Sequence, residues 1–588
     1  MLEPLVYVPP AFAFALAAAL AVATGPRLGA AGGLVAGGYV SAWTLAVPSG
    51  TYGAWQFLEF TVVPVAVAPA SRTAGLAFAL FGTVAVGYLA ATGGGRLHVG
   101  AALGYVSGAV WAVFAGDWLG LLVGWELMAL VSTVLVWLHG GRAVRIGFRY
   151  ALVHAIGGAT LAAGLAMHAV ASGLGPSVLH FDGGITPGLP AVAVGIGVGI
   201  NAAVFGVHVW LPDTYASPHV GASVVLSAYT TKLSVYAAYR AFPDGQLVLA
   251  YIGGVMAITG AGYAILQKDA RRLLAYHIQA QVGYLLAGVG IGSSLGLVAA
   301  MAHLFNNILF KGLLFMVAGL FVLRAGTGRL DKGGTIGRQT PVLTGSFLIA
   351  AASITGLPGT NGFVSKGMVM DAAAGAGYGP LRWLLLAGAI GTIISFCKFG
   401  YYALFKGDEP LAPATVPQAA TMIPVAVGCL LLGVWYGPFL QLLPAAGDWS
   451  VTPYTGSKLI ETAVLFAVGG GLFVLSRPLL GRVHGGIDVD AVRDPLAFGM
   501  ARAAVAGVAT ALGTFARIES GVHRRLRTVL VTPSATVAAW LPAPLADRYR
   551  VRMADAPGTV WFTLAARYRA LLLVGCLAVA FLVGVVGQ

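Results

Sequence analysis

Five ionisable side chains lie inside long apolar stretches of this 588-residue chain. Glu126 lies within GWELMAL, Lys232 within TTKLSVYAAYR and Lys311 within AHLFNNILFKGLLF. Lys366 follows the interruption GLPGTNG, and Lys398 lies within FCKFGYY. An ionisable residue at mid-depth in a membrane is costly and is therefore a candidate functional residue by default. These five side chains are the primary candidates.

The chemistry that these residues permit is proton relay. A lysine removed from water loses its proton more easily than a solvated one, because burial disfavours the charged form. A neighbouring carboxylate reverses this effect, so a Glu–Lys pair that forms and breaks would switch proton release on and off. His303 is a further relay candidate because it lies eight residues before Lys311, on nearly the same helix face. His154, His208 and His277 are weaker candidates, since each could equally be a hydrogen-bonded core histidine.

Motifs for other chemistry are not found. The sequence contains no Walker P-loop, no dinucleotide-binding fingerprint and no cysteine cluster for an iron–sulfur centre. Its three cysteines, Cys397, Cys429 and Cys576, lie in apolar runs without CxxC or CxxxC spacing. We therefore predict no catalytic residue, no metal site and no cofactor. A partner would have to supply the energy for pumping, as in a redox-driven translocase.

Hydropathy predicts the elements that hold these side chains. The chain is 58% hydrophobic and 9% charged, whereas a soluble domain carries about 25% charged residues. This composition excludes a soluble protein. Windows of about 20 apolar residues predict about sixteen membrane-spanning helices, so the expected fold class is an all-α polytopic membrane protein.

Charges in the loops predict the orientation of the chain. Lys and Arg are concentrated after odd-numbered spans, as at Arg142, Arg145 and Arg149, and are sparse after even-numbered spans. Basic residues accumulate on the cytoplasmic side, so we expect a protein of the cell membrane with its N-terminus outside. The net charge of +14 is too dispersed to indicate nucleic-acid binding. The first apolar run has no preceding basic region, which argues against a cleaved signal peptide.

The segment 477–566 differs from the rest and is predicted to be cytoplasmic. A helix over about 494–530 would reach roughly 54 Å and could lie across several spans. An amphipathic helix that contacts only lipid head groups is equally consistent with the pattern. Its apolar positions recur every three or four residues, at Val508, Leu512, Phe515, Ile518, Val522, Leu526 and Val529.

Two predicted spans are interrupted at corresponding places. The seventh, over 190–211, runs into GVHVWLPDTYASPH, and the twelfth, over 341–375, is interrupted at GLPGTNG. Paired broken spans indicate ion sites in inverted-repeat transporters. The predicted organisation is N-terminal transmembrane helices at 1–97, a first inverted repeat with a half-channel at 98–241, a second at 247–404, C-terminal transmembrane helices at 417–476, the amphipathic region at 477–566 and a final span at 567–588.

Six segments resemble the antiporter-like membrane subunits shared by Mrp-type multisubunit Na+/H+ antiporters, respiratory complex I and membrane-bound hydrogenases: GWELMAL, HVWLPD, TTKLSVYAAYR, QKDARRLLAYH, AHLFNNILFKGLLF and GLPGTNGFVSK. The resemblance covers 98–404 and is greatest to the D-type component of the Mrp antiporters. It implies a core of about fourteen helices with two inverted five-helix repeats, and proton transfer along a central polar axis. By motif, Glu126, Lys232, Lys311 and Lys366 match the family's glutamate of the fifth helix and lysines of the eighth, eleventh and twelfth helices.

Two features depart from this family pattern. Asn201 lies nine residues before the Trp of WLPD, where the family usually has a lysine, and an amide cannot carry a proton. Either another group, such as His208 or Lys232, then serves as the partner of Glu126, or only the second half conducts. The tail after 458 resembles the extensions of some complex I and hydrogenase-type subunits and departs from a minimal D-type component of an Mrp antiporter.

The leading functional hypothesis is a proton-translocating subunit of a multisubunit Na+/proton antiporter. Its predicted partners are other membrane subunits, the lipid bilayer, H+ and, as a coupled ion, Na+. The first alternative is an antiporter-like subunit of complex I or of a membrane-bound hydrogenase. A non-conducting scaffold and a membrane partner in inorganic-carbon uptake are further alternatives, and Asn201 favours the scaffold.

Overall fold

The computed structural model describes residues 8–57, 60–173, 179–181, 183–406, 410–444 and 451–480, together with isolated positions between 499 and 522. The chain divides into two compact units, Met1–Val489 and Asp490–Gln588. In the second unit the described positions, among them Arg502, Arg517 and Val522, are helical and exposed. The rest of the predicted amphipathic region, beyond 480, and the final span lie outside the described residues.

The described part of the first unit is largely α-helical, which confirms the predicted fold class. Among the described residues, nine helices are long and apolar enough to cross a membrane, and three shorter apolar helices accompany them. The helices are α1 (Ala11–Thr24), α2 (Pro26–Ala46), α3 (Pro69–Ala91), α4 (Arg96–Phe114), α5 (Trp118–Trp137), α6 (Arg142–Ala171), α7 (Leu189–Asn201), α8 (Trp210–Ala216), α9 (Val220–Leu226), α10 (Thr230–Ala241), α11 (Leu247–Leu266), α12 (Ala270–Ile291), α13 (Ser294–Ala325), α14 (Pro341–Thr355), α15 (Asn361–Gly375), α16 (Gly379–Phe405), α17 (Val416–Val434), α18 (Gly437–Leu440) and α19 (Gly456–Leu480).

Both interruptions predicted from Gly and Pro are present. The seventh span breaks between α7 and α8, and the twelfth breaks between α14 and α15. At the second break Gly356 adopts a left-handed conformation, with φ of +81°, that ends α14. Glycine adopts this conformation without the steric penalty of a Cβ atom. The two inverted repeats remain a proposal based on this correspondence.

Hydropathy predicts the eighth span as one helix over 219–241, and this is wrong, because α9 and α10 are separate helices. At this point, side chains form hydrogen bonds with backbone groups that would otherwise bond each other in a continuous helix. The Ser227 carbonyl accepts a hydrogen bond from the Lys232 ammonium group, and the Thr230 amide donates to the Tyr105 hydroxyl. No Gly or Pro marks this break in LSAYTTK, so the local sequence could not reveal it.

A small antiparallel β-structure between α2 and α3 was also missed, because strands of three residues show no measurable alternation. Asp117, the N-cap of α5, accepts hydrogen bonds from the backbone amides of Val63 and Gly120. These bonds tie the β-structure to the start of α5. The strands are β1 (Gly50–Tyr52), which pairs with β4 (Val65–Val67), and β2 (Trp55–Phe57), which pairs with β3 (Phe60–Val62).

Small residues bring the helices of the second half into close contact. A Cβ atom on Gly253 of α11 would lie 2.4 Å from the Gly283 carbonyl of α12, and a Cβ on Gly283 would lie 2.4 Å from the Gly253 carbonyl. Membrane helices associate through such small residues because lipid gives them little hydrophobic driving force. This contact fixes α12, which carries His277, against α11.

Candidate functional site

Two of the lysines predicted to relay protons place their ammonium groups at helix C-termini, where the interrupted spans break. Lys232 donates to the Ser227 carbonyl just after α9, at 2.7 Å, and Lys366 donates to the Ile354 carbonyl in the last turn of α14, at 3.1 Å. Helix C-termini have unpaired carbonyl groups and partial negative charge. The two breaks therefore stabilise buried cations without a carboxylate.

The ammonium group of Lys398 also binds carbonyl groups at a helix C-terminus, that of α11. Its ammonium group donates to the carbonyls of Ile265, at 2.6 Å, and Gln267, at 2.7 Å, where α11 ends. Asp331 lies nearby, in the loop after α13, and pairs with Lys268 of the loop after α11. Hydrogen bonds from Arg329 hold the pKa of the Asp331 carboxyl below its usual value. Both loops follow odd-numbered spans, so Lys398 lies towards the predicted cytoplasmic side.

Lys311 differs from the other lysines. It is fully buried on α13, and its ammonium nitrogen has no hydrogen-bond partner among the residues that the structure describes. A buried charge without a partner is far more costly than a neutral amine in the same place. Lys311 is therefore suited to a transient rather than a permanent proton.

His303 connects α12 to the residue next to Lys366. Its Nε2 lies 3.2 Å from Gln281 Oε1, and its Nδ1 lies 3.0 Å from Ser365 Oγ. A carbonyl oxygen only accepts, so Nε2 donates to Gln281, and in the neutral ring Nδ1 accepts from Ser365. When the ring is protonated, Ser365 can instead donate to the Asn361 carbonyl, at 3.2 Å. Both protonation states of His303 thus find partners in the same set of atoms.

His277 extends this polar series towards Lys398. Its Nε2 lies 2.8 Å from Ser395 Oγ, and Ser395 precedes Lys398 by one helical turn on α16. Gln281 follows His277 by one turn on α12. All of these side chains are buried. Polar groups thus extend from Lys398 through His277 and Gln281 to His303.

A cavity of about 50 Å³ borders Lys366. That volume holds a few water molecules at about 10–15 Å³ each. Its lining includes Lys366, Asp371, Lys458 and Glu461, from α15 and α19. Lys458 pairs with Asp371, and Arg382 pairs with Glu461 at 2.8 Å. The adjoining loops follow even-numbered spans, so the cavity lies towards the predicted outer side.

Glu126 does not lie in this buried series. Its side chain is exposed at the surface of the first unit, whereas we expected it to be buried. The buried residues Leu121, Gly124 and Met128 of α5 occupy the opposite side of the helix. The carboxylate lies over α6, where a Cβ atom on Gly158 would be 1.7 Å from Glu126 Oε1. Glu126 therefore faces the outside of the helix bundle.

The remaining candidates lie around the break in the seventh span. Asn201 ends α7 and is buried, as is His154 on α6. Both line a second cavity, of about 10 Å³. His208 accepts a hydrogen bond from the Gly206 amide at its Nδ1, at 3.2 Å, and stacks on Phe205. Its contacts are those of a core histidine.

Sequence reasoning missed the uncharged members of the series. Ser365, Ser395 and Gln281 are common residue types that carry no charge, so hydropathy does not single them out. One signal was available, because Gln281 follows His277 at helical spacing within AYHIQAQVGY. The serines become visible only when α12, α13, α15 and α16 are packed together.

Comparison with known proteins supports the resemblance. Residues 115–395 match the family described as NADH:quinone oxidoreductase/Mrp antiporter, transmembrane region. The N-type component of NADH-quinone oxidoreductase from Desulforudis audaxviator is 29% identical over 356 residues, which cover 54% of this chain and 70% of that protein. The D-type component of the Na+/H+ antiporter from Bacillus subtilis is 26% identical over 365 residues, which cover 59% and 72%. The chain is an antiporter-like membrane subunit.

The fold of this antiporter-like subunit agrees with that assignment. The Mrp complex from Dietzia sp. contains a chain that matches it with a TM-score of 0.66 at 21% identity, covering 80% of this chain and 98% of that one. The protein is thus a multi-pass membrane protein of a family whose members work within multisubunit complexes. The matched family region includes Glu126, Lys232, Lys311 and Lys366, whereas Lys398 lies just beyond it.

The orientation of the subunit can be tested with single cysteines in a background lacking Cys397, Cys429 and Cys576. Ser457 is exposed at the start of α19, and Lys332 is exposed in the loop after α13. We expect Ser457→Cys to react with a membrane-impermeant thiol reagent added outside intact cells. Lys332→Cys should react only after the cells are opened. The reverse pattern would contradict an outside N-terminus.

Proposed function

We propose that this antiporter-like subunit translocates protons within a multisubunit cation/proton antiporter, with Na+ as the coupled cation. The observation that carries the proposal is the buried polar series of His277, Gln281 and His303 between Lys398 and Lys366. Each end of the series has a lysine at a helix C-terminus, and Lys366 borders a cavity with room for water. Direct hydrogen bonds join His277 to Ser395 and His303 to both Gln281 and Ser365. One helical turn separates Ser395 from Lys398 and His277 from Gln281. Proton transfer between members that are not bonded directly requires an intervening water.

The proposed route begins at Lys398, at the predicted cytoplasmic end. Protons pass along the histidines and reach Lys366, and Lys311 holds a proton for a short time because its ammonium has no fixed partner in the described residues. Release then occurs into the cavity beside Asp371 and Glu461. Each proton moved against the membrane potential requires about 2.3 kcal/mol per 100 mV. In an antiporter the Na+ gradient supplies this energy, which reaches the subunit as a conformational change in a partner subunit.

Two other assignments compete with this one. Relatives from a quinone oxidoreductase and from a Na+/H+ antiporter match at 29% and 26% identity, so similarity alone does not select the complex. Asn201 favours a non-conducting scaffold, because it replaces the lysine usual at that position. The buried lysines of the second half argue against a scaffold, since a structural role would not require ionisable amines buried in a membrane.

The test is transport by the intact complex, isolated from its native membrane and reconstituted in sealed vesicles. An imposed Na+ gradient should drive proton movement in the opposite direction, and the companion subunits should be those of an antiporter. Proton movement that follows an electron donor and ignores Na+ would assign the subunit to a redox-driven complex. Absence of any proton movement through a complete complex would leave the scaffold role.

Lys398 offers a test of the inner end of the route. We expect Lys398→Met to lower proton flux about tenfold, because methionine carries no transferable proton at the site where the carbonyls of Ile265 and Gln267 hold the ammonium group. Lys406→Met is the matched control, since Lys406 is exposed one residue after α16. Flux should be measured at saturating and at limiting inside proton concentration. Equal flux for the two variants under both conditions would remove Lys398 from the route.

A further inference from the structure

A small cavity in the first half contains polar groups that the proposed route does not use. Its volume is about 10 Å³, and its lining includes Trp125, His154, Asn201 and Thr230. Trp125, His154 and Asn201 are exposed by only 2%, 1% and 3%. Trp125 Nε1, His154 Nε2 and Asn201 Oδ1 have no hydrogen-bond partner in the described part of the chain. Buried polar atoms without a partner are rare, because each loses its hydrogen bonds to water and gains no hydrogen bond within the protein.

The hydrogen-bonding capacities of these three atoms are complementary to one water molecule. His154 Nδ1 lies 3.0 Å from the Tyr150 carbonyl, which only accepts, so Nδ1 carries the ring proton. The neutral ring then presents Nε2 as an acceptor. Asn201 Oδ1 is a second acceptor, and Trp125 Nε1 is a donor. A water molecule has two protons to donate and accepts at its oxygen, so it satisfies all three atoms at once.

Size and ligand type favour water over a metal cation. A cavity of about 10–15 Å³ accommodates one water molecule. Cations such as Na+ or Mg2+ prefer several carboxylate, carbonyl or water oxygens. Among the lining residues only Asn201 and Thr230 offer side-chain oxygens, and Thr230 Oγ1 already lies 2.5 Å from the Tyr105 hydroxyl.

We propose that this cavity binds a single water molecule through Trp125, His154 and Asn201, and that His154 holds the first-half proton in place of the lysine usual at position 201. The inference rests on the proposed proton translocation. As the Lys232 ammonium group donates a proton to the water oxygen, the water donates one of its own protons to His154 Nε2, while Nδ1 stays bonded to the Tyr150 carbonyl. The water thus gains one O–H bond as it loses another, Lys232 becomes a neutral amine and the ring gains the positive charge. The reverse step returns the proton through the same water.

The residues that line the cavity are near both charged groups of the first half in the chain. His154 precedes Gly158 by one turn of α6, and the Glu126 carboxylate lies over Gly158. On the other side Thr230 precedes Lys232 by two residues on α10. An amide at position 201 can orient the water but cannot accept its proton, so the titratable group must be the histidine.

The experiment compares four variants of the intact complex in sealed vesicles. His154→Gln keeps a hydrogen-bonding side chain but cannot carry a proton, so flux should fall about tenfold or more. Trp125→Phe removes one hydrogen bond to the water and should lower flux a few-fold. His168→Gln is the matched control, because His168 is also buried on α6 but bonds Thr186, and flux should stay unchanged. Asn201→Lys combined with His154→Gln should restore flux, since it supplies an amine at the same cavity.

The outcomes separate this inference from the proposed function. Unchanged flux in His154→Gln, with flux lost in Lys366→Met, would overturn the inference and leave the second-half route standing. Unchanged flux in both variants would overturn the proposed function itself. A density map of the wild-type complex that resolves ordered waters gives a second readout, which does not depend on folding of a variant. Water density bonded to Trp125, His154 and Asn201 is expected there, and its absence would overturn the water site.

Discussion

Replacing Lys366 with methionine should lower proton flux through the intact complex at least about a hundredfold, the scale of losing an essential proton-transfer group. Lys366 is the lysine at which the polar series meets the outer cavity, and its ammonium group bonds the Ile354 carbonyl at 3.1 Å. It also lies over the ring of Tyr284, 4.7 Å from the centroid. Methionine has a similar length and no proton to transfer.

The complex should still assemble with this substitution. Replacing a buried charged group by an apolar side chain of similar volume is often neutral or stabilising, because the cost of desolvation disappears. Lys332→Met is the control, since Lys332 is exposed in a loop and takes no part in the series. Subunit composition and vesicle flux are measured on the same preparations. Wild-type flux in an assembled Lys366→Met complex would refute a role for this lysine.

Gly362→Ala should destabilise the break in the twelfth span by about 2–3 kcal/mol, the range expected for overpacking. Gly362 is the second residue of α15, and a Cβ atom there would lie 1.7 Å from the Ser353 carbonyl oxygen and 2.6 Å from its carbon. Both are backbone atoms of α14, so the two half-helices would have to move apart. Lys366 lies one turn after Gly362, and its bond to Ile354 spans the same break.

The matched control for this prediction is on the same helix. A Cβ atom on Gly367 would have no heavy atom within 4 Å, so Gly367→Ala meets open space. In a helix interior, alanine should be more stable than glycine by about 0.5–1 kcal/mol. The thermal midpoint of the complex should therefore fall with Gly362→Ala and stay level or rise with Gly367→Ala. Equal midpoints would show that the half-helices tolerate the added methyl group.

Much of the fold was predictable because burial in lipid restricts composition strongly. Apolar windows located the spans, and the Gly and Pro residues of GLPGTNG and WLPD located two of the three helix breaks. The third break, after Ser227, was not predictable. It depends on the Lys232 ammonium group and the Tyr105 hydroxyl, which replace main-chain partners.

The candidate site was predictable in its charged residues and in little else. A lysine in an apolar span is conspicuous in the sequence, so hydropathy alone identifies the candidates Lys232, Lys311, Lys366 and Lys398. The expectation that a glutamate would pair with them was not met within this chain, because Glu126 faces outward. Helix C-termini take the place of that carboxylate, and sequence alone cannot show which carbonyl group a distant lysine reaches.

The sequence by itself determined that the chain spans a membrane, which side chains carry ionisable groups there, and that position 201 holds an amide. These properties follow from residue type and local periodicity. Only the tertiary structure decided that His303 lies between Gln281 and Ser365, or that His154, Trp125 and Asn201 line one cavity. Those contacts join helices distant in the chain, and they depend on how closely each pair of helices packs.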